Sequence, residues 1–185
     1  PAEVSGRFDQ GVSFDGVESY LDLGSIIDPS ATNLTAAVWF NVTNTSNSPV
    51  ILQQLDGTGT GRSWLFVDAT GVIGTFLGGS NLFGATSITT NVWHHAAVTY
   101  DGTTLRLYLD GNLEAAQART MEANDGEMTI GRHKTQTNRY FSGTLDELII
   151  LPAAADEAGI QMLLNSSWPA IDIPALFETF SAGPL

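Results

Sequence analysis

The feature that most constrains this chain is the spacing of its short apolar stretches. They alternate with clusters of Gly, Asn, Asp, Thr and Ser at intervals of about ten residues, which is typical of an antiparallel β-sandwich. In the clearest stretch, residues 34–43, the side chains of Leu34, Val38 and Phe40 share one parity, whereas the other parity is mixed. This alternation predicts a strand with one face in a hydrophobic core.

Two Asp-Gly pairs predict the turns of a three-stranded meander. Asp-Gly readily adopts the positive φ angles of tight hairpins, so Asp101-Gly102 and Asp110-Gly111 are expected to join strands at 92–100, 104–109 and 112–116. Further strands are predicted at 12–14, 20–23, 50–55, 64–68, 71–77, 127–131 and 140–151. The residues therefore predict an all-β fold in which antiparallel strands pack as two sheets.

The end of the chain departs from this pattern. Helical spacing of apolar residues occurs at 156–165, which predicts one short C-terminal helix. The segment 168–185 contains three prolines, which break regular structure and predict a strap or linker. We therefore divide the chain into one sandwich domain, residues 1–167, and a C-terminal strap or linker, residues 168–185.

Composition excludes several classes of partner. Twenty acidic and seven basic residues give a net charge of −13, which repels nucleic acid and anionic membranes. No apolar run reaches the roughly 18 residues needed to cross a bilayer, so no membrane insertion is expected. The chain has no cysteine, which excludes disulfides and thiolate chemistry. The excess of carboxylates would suit a hard cation such as Ca²⁺ or a simply solvated surface.

Five motifs occur in an order and spacing that identify a family. They are VSFDGV at 12–17, AVWF at 37–40, WHHAAVTYDG at 93–102, LRLYLDG at 105–111 and FSGTLDEL at 141–148. Across residues 7–165 the chain thereby resembles the laminin G-like jelly-roll domains of the concanavalin A-like lectin/glucanase superfamily. The resemblance implies a two-sheet antiparallel jelly-roll sandwich of about a dozen strands.

The sequence lacks the motifs of catalysis on this kind of sandwich. Glycan hydrolysis needs two carboxylates flanking one bond, and the glucanases of the superfamily carry them as Glu-x-Asp-x-x-Glu. That motif is absent, and the acidic cluster at 122–127 has a different spacing typical of a turn. The nucleophile elbow, the His-Glu-x-x-His pair and the phosphate loop are absent as well. We expect no enzymatic activity.

The first candidate calcium site combines Asp15 and Asp146. Asp146 interrupts the apolar run 145–151, and a buried charge needs a partner. The resemblance implies a structural Ca²⁺ held by an aspartate at this position and by oxygens of the first strands, where Asp15 lies. An alternative remains open, in which Asp146 accepts backbone hydrogen bonds and Asp15 only turns a corner.

The second candidate lies at the rim of the sandwich. The resemblance implies that Ca²⁺ is bound there by an acid after an early strand and by oxygens of a later loop. Asp56, Asn124 and Asp125 occupy the matching loops. Asp-Gly and Asn-Asp pairs also form turns without any metal, and this reading stays open.

Ligand contacts are predicted at loops rather than on a strand face. Trp64, Arg62, Phe83 and Asn81 lie in or beside glycine-rich stretches, and a rigid sandwich often recognises partners through such loops. An aromatic face can stack on a sugar ring while amides bind its hydroxyls. Trp64 could instead anchor a loop. Trp39 is expected to be a packing residue.

The sequence therefore predicts a non-catalytic extracellular binding or adhesion module, carbohydrate-directed and stabilised by Ca²⁺. It would be part of a larger secreted or cell-surface protein with neighbouring domains, and its partner would be a glycan or a cell-surface protein. Two other functions stay open, namely a protein-contact or spacer domain without a small ligand and an accessory domain of a glycan-degrading enzyme.

Overall fold

The structure is a computed structural model that describes residues 1–28, 30, 33–55, 61–124 and 126–165. These residues form thirteen strands and one short helix. In chain order they are β1 (Ala2–Ser5), β2 (Gln10–Asp15), β3 (Leu21–Gly24), β4 (Leu34–Val42), β5 (Val50–Leu55), β6 (Gly61–Val67), β7 (Val72–Leu77), β8 (Ser80–Ser87), β9 (His94–Tyr100), β10 (Thr104–Leu109), β11 (Asn112–Ala118), β12 (Met128–Ile130), β13 (Ser142–Leu151) and α1 (Glu157–Asn165).

The strands form two antiparallel sheets. The seven-stranded sheet has the order β1-β2-β13-β4-β9-β10-β11, and the six-stranded sheet has the order β3-β12-β5-β6-β7-β8. Neighbouring strands that are distant in sequence, such as β2 and β13, give the crossed connections of a jelly roll. The predicted all-β, two-sheet fold is confirmed.

The core lies between the two sheets and draws on both. Leu34, Val38 and Phe40 of β4 are fully buried in it, as the alternation of that stretch predicted. The opposite face of the seven-stranded sheet is covered by α1, whose Ile160 and Leu163 pack on a separate small cluster of that sheet. Both faces of β4 are therefore buried.

The predicted meander is present as β9, β10 and β11. Asp110 and Gly111 have φ angles of 50° and 79°, the left-handed region that their pair was expected to supply. At the preceding turn, the Asp101 carboxylate accepts the N–H groups of Thr103 and Thr104 at 3.0 and 2.8 Å. Both predicted turns are therefore present at the Asp-Gly pairs.

Two strands were not predicted, β1 and β8. A turn at Gly78 and Gly79, with φ angles of 64° and 85°, folds β8 back along β7. Glycine is favoured at both positions because φ is positive. The glycine-rich composition of this stretch concealed a strand, and β8 turns out to carry two of the predicted contact residues.

No helix in the described part of the chain is long and apolar enough to cross a membrane. The segment predicted as a strap or linker, 168–185, lies outside the described residues.

Candidate ligand-binding groove

A groove of about 770 Å³ lies on the outer face of the six-stranded sheet. On this side Phe66 of β6, Phe76 of β7 and Phe83 of β8 alternate with core residues such as Leu65 and Leu77. The residues that line what we call the sheet groove are Ser46, Asn47, Ser48, Ser63, Phe66, Asp68, Ala69, Phe76, Asn81, Phe83, His133, Thr135, Gln136, Asn138 and Arg139. Most are polar, and the aromatic ones belong to adjacent strands.

The floor of the sheet groove is aromatic. The rings of Phe66 and Phe83 meet edge to face, with centroids 5.8 Å apart and an interplanar angle of 81°. Phe66 lies over Gly74 of β7, where an added Cβ would come within 2.6 Å of its ring. Phe66 is almost fully buried, whereas Phe83 is 42% exposed. Phe83 therefore presents an accessible ring, and the buried Phe66 ring supports it.

One wall of the sheet groove is formed by Arg139, which precedes β13. Its Nε donates a hydrogen bond to the Ser48 carbonyl at 2.8 Å, and its guanidinium carbon lies 5.2 Å from the centroid of the Phe66 ring. Burial lowers the pKa of Arg139. A guanidinium has so high a pKa at the outset that the side chain stays charged at neutral pH.

His133 is a neutral hydrogen-bond donor in the same wall. Its Nδ1 lies 3.2 Å from the Gln136 amide nitrogen and 3.4 Å from that of Thr135, and an amide N–H can only donate. Nδ1 is thus an acceptor and the proton sits on Nε2. Burial and, secondly, the charge of Arg139 lower the pKa of His133 to about 4. His133 is only 8% exposed.

This combination suits a polyhydroxylated ligand. An exposed aromatic ring can stack on the apolar face of a pyranose, while amides, hydroxyls and an imidazole N–H bind its hydroxyl groups. Asn81, Asn138 and Gln136 supply the amides and Ser63 a hydroxyl. Asp68 is the one carboxylate among the described lining residues, and its Oδ1 accepts hydrogen bonds from its own turn.

Two of the four predicted contact residues line the sheet groove. Asn81 and Phe83 do so, but from strand β8 and not from a loop. The sequence analysis missed Phe66, Arg139 and His133. The pairing of β7 with β8 and of β6 with β5 brings these side chains together, and neither pairing can be read from local sequence.

The prediction for Trp64 and Arg62 is wrong in its placement. Trp64 is 0% exposed, belongs to the core, and its Nε1 donates to Gln54 Oε1 at 3.3 Å. Arg62 is buried at 5% exposure and pairs with Glu122 at 2.7 Å. Strand β6 begins at Gly61, three residues before the predicted strand 64–68, so Arg62 is a strand residue as well as Trp64. Neither lines the sheet groove.

The structure does not bring Asp15 and Asp146 together. Asp15 is exposed, and its Oδ1 accepts the N–H groups of Val17, Glu18 and Ser19 at 2.8 to 3.0 Å, which lowers its pKa. In the register of β2 and β13, Asp15 lies opposite Ser142. Asp146 is four residues further along β13, a separation of roughly 13 Å at the usual strand rise.

Asp146 instead ties the turn between β1 and β2 to β13. Its Oδ2 accepts the N–H groups of Arg7 and Phe8 at 2.7 and 3.1 Å, and its Oδ1 accepts that of Glu147 at 2.9 Å. Three backbone donors thereby compensate a carboxylate that is 8% exposed. These contacts match the alternative reading, and the described oxygens here do not form a calcium cage.

The rim candidates are described only in part, because Asp56 and Asp125 lie outside the described residues. Asn124 is buried, its N–H donates to Asp28 Oδ1 at 3.0 Å and its Oδ1 accepts from Gly126 N at 3.0 Å. Within the described ranges no group of three or more His, Cys, Asp and Glu side chains could hold one metal ion.

Backbone oxygens near Asn124 converge on an amide. Gln54 Nε2 donates to the carbonyls of Ile27, Asn124 and Gly126 at 2.7, 3.2 and 3.1 Å. Three carbonyls around one point resemble part of a cation site, but the amide nitrogen already fills it. The rim site stays a prediction, because two of its three candidates, Asp56 and Asp125, lie outside the described residues.

Comparison with known sequences gives a family. A family model described as the concanavalin A-like lectin/glucanases superfamily matches residues 15–161, which confirms the resemblance inferred from the five motifs. A comparison with curated proteins gives no match.

Similar solved structures include several binding domains. The binding domain of Paraclostridial Mosquitocidal Protein 1 has 18% identity and a TM-score of 0.70 over 89% of this chain, which covers 45% of that one. Domain 4 of AbnA, an extracellular arabinanase from Geobacillus stearothermophilus in complex with arabinotriose, has 17% identity and a TM-score of 0.69 over 89% and 81% of the two chains. The Ruminococcus gnavus IT-sialidase CBM40 bound to α2,3 sialyllactose has 12% identity and a TM-score of 0.66 over 84% and 96%. At these identities the likeness is one of fold.

Proposed function

Because this chain belongs to the concanavalin A-like lectin/glucanases superfamily, we propose that it is a non-catalytic carbohydrate-binding module that holds a saccharide in the sheet groove. The observation that carries the proposal is the exposed ring of Phe83, supported by Phe66 and surrounded by amide, hydroxyl and imidazole groups. A volume of about 770 Å³ is within the range of small-ligand sites and admits a short oligosaccharide.

Similar structures support a carbohydrate as the ligand. Two of them, the arabinanase domain and the CBM40 domain, are complexes with arabinotriose and with sialyllactose. Fold alone does not fix a ligand, so the argument for this chain depends on its own groove.

The absence of paired carboxylates supports a binding role over hydrolysis. Glycoside hydrolysis requires two carboxylates on either side of one bond. Asp68 is the one acid among the described lining residues of the sheet groove, and its Oδ1 is engaged by the N–H groups of Thr70 and Val72. The groove can thus bind a sugar without supplying an acid and a base.

We further propose that the module works outside the cell as part of a longer secreted or surface protein. Support comes from the extracellular arabinanase among the similar structures and from the fact that this chain spans 45% of the mosquitocidal binding-domain chain. The calcium stabilisation predicted from sequence stays a prediction, and the contacts of Asp15 and Asp146 do not contribute to its support.

The test is glycan binding by wild type and Phe83→Ala. Wild type is screened on a glycan array, and the hits are titrated by calorimetry. Removing the Phe83 ring should weaken binding about tenfold or more, because burying a Phe ring against a ligand stabilises by about 1.5 to 3 kcal/mol.

Leu113→Ala is the matched control. Leu113 is an exposed apolar residue of β11, in the other sheet, and its truncation should leave affinity unchanged. A module that binds no glycan, or whose affinity survives Phe83→Ala, would refute the proposed function. Binding of a protein ligand to the same surface would instead support a protein-contact domain.

A further inference from the structure

Arg139 is the cation of the sheet groove, and its terminal nitrogens have no hydrogen-bond or ion-pair partner among the described residues. Arg139 donates through Nε to the Ser48 carbonyl, and its guanidinium carbon lies 5.2 Å from the centroid of the Phe66 ring. In the described part of the chain, no hydrogen bond or ion pair reaches its Nη1 or Nη2. Its remaining hydrogen-bonding capacity is therefore available to a ligand in the groove that it lines.

Arg139 also has no carboxylate partner among the described residues, although the chain has twenty acidic and seven basic residues. Arg62, Arg106 and Lys134 each pair with a carboxylate, whereas Arg139, like Arg7, Arg119 and Arg132, makes no ion pair in the described part of the chain. A partly buried cation loses hydration and is costly unless a counter-charge compensates it. Burial lowers the pKa of Arg139, which reflects this loss. An anion bound in the groove would provide the compensation.

The orientation of Arg139 also suits an anion. Nε is held by Ser48 and the guanidinium carbon lies 5.2 Å from the Phe66 centroid, so among the described residues the edge formed by Nη1 and Nη2 is left for recognition. Two parallel N–H donors on a guanidinium match the two oxygens of a carboxylate or of a sulfate ester. His133 adds an N–H donor at Nε2 in the same wall. A neutral sugar hydroxyl has only one oxygen and carries no charge, so it matches the two N–H donors less well than a carboxylate or a sulfate ester.

We propose that the sheet groove selects saccharides that carry an anionic group, with Arg139 binding that group while Phe83 stacks on a sugar ring. The inference depends on the proposed function, because it assigns a ligand class to the same groove. The shared chemistry is an oxyanion on a sugar, either a carboxylate of an acidic sugar or a sulfate ester.

The experiment compares matched pairs of glycans that differ only in charge. The probes are oligogalacturonides with their methyl esters, sialylated oligosaccharides with their asialo forms, and sulfated galacto-oligosaccharides with their desulfated forms. We expect the acidic member of at least one pair to bind about ten- to a hundredfold more tightly, the range expected of hydrogen bonds to a charged group. The pair that responds distinguishes carboxylate from sulfate.

Variants of Arg139 assign the effect to this residue. Arg139→Gln should remove the preference, so that the acidic and neutral members of a pair bind with similar affinity, whereas Arg139→Lys, which keeps the charge but not the paired donors, should retain part of the preference. Arg106→Gln removes one positive charge from the other sheet and should leave the affinities for the acidic and the neutral member unchanged. Circular dichroism and melting curves check that each variant is folded.

The outcomes separate this inference from the proposed function. If neutral members bind as well as acidic ones and Phe83→Ala abolishes both, the module binds glycans but the inference is wrong. The inference also fails if the acidic preference survives Arg139→Gln. If no glycan binds to the folded wild-type protein, both the proposed function and the inference are wrong.

Discussion

Trp64→Ala is the substitution that most directly tests whether β6 is placed correctly. Trp64 is fully buried among core residues and also donates a hydrogen bond to Gln54. Truncating such a side chain typically costs about 3 to 5 kcal/mol, because apolar burial is lost and the cavity collapses only in part. For a protein of this size, 1 kcal/mol corresponds to a fall of roughly 2 to 4 °C in Tm. We therefore expect Tm to fall by about 6 to 20 °C.

The assay is thermal and urea denaturation followed by circular dichroism, with Phe83→Ala as the matched aromatic control. Phe83 is 42% exposed, so its truncation should cost only about 1 kcal/mol. Glycan affinity is then measured at a temperature where all proteins are folded. Trp64→Ala should bind as wild type, whereas Phe83→Ala should not. A loss below about 1 kcal/mol in Trp64→Ala, or a loss of binding in that variant alone, would refute the core placement.

Three further outcomes follow from the contacts. Burial lowers the pKa of both His95 and His133 to about 4, so these histidines stabilise the fold fully only above their unfolded pKa of about 6.5, where they are neutral in both states. Melting curves from pH 7.5 to pH 4 should therefore show the free energy of unfolding falling between pH 6.5 and pH 4. Constant stability across that range would contradict this expectation. Gly74→Ala should displace the Phe66 ring and weaken glycan binding severalfold, as titration would detect; unchanged affinity would show that the floor is not rigid. Asp146→Asn should lower the free energy of unfolding by about 1 to 3 kcal/mol even in chelator, because three backbone donors lose a charged acceptor. Identical melting curves of the wild type in chelator and in millimolar Ca²⁺ would contradict the calcium prediction.

The fold was largely predictable because its determinants are local. Alternating parity in residues 34–43 and the Asp-Gly pairs at 101–102 and 110–111 act over a few residues, so they appear directly in the sequence. The short helix at Glu157–Asn165 was likewise found from its apolar spacing. Strand β8 was missed because the two glycines before it, its one glycine and its small polar residues are typical of loops.

The site depended on strand register, which is a property of the tertiary structure. Alternation shows which residues share a face, but an irregular register between β5 and β6 places the adjacent residues Trp64 and Leu65 both in the core, which no parity rule foresees.

The sequence by itself thus determined a two-sheet sandwich that lacks the Glu-x-Asp-x-x-Glu motif. Only the packed sheets decided which side chains meet. Phe66, Phe83 and Arg139 are far apart in the chain and become one groove because β6, β7 and β8 are neighbours and the segment before β13 passes beside them. The same packing places the Asp146 carboxylate where it accepts hydrogen bonds from the backbone N–H groups of Arg7 and Phe8. Long-range contacts of this kind depend on strand order and register, and those are set by the whole core.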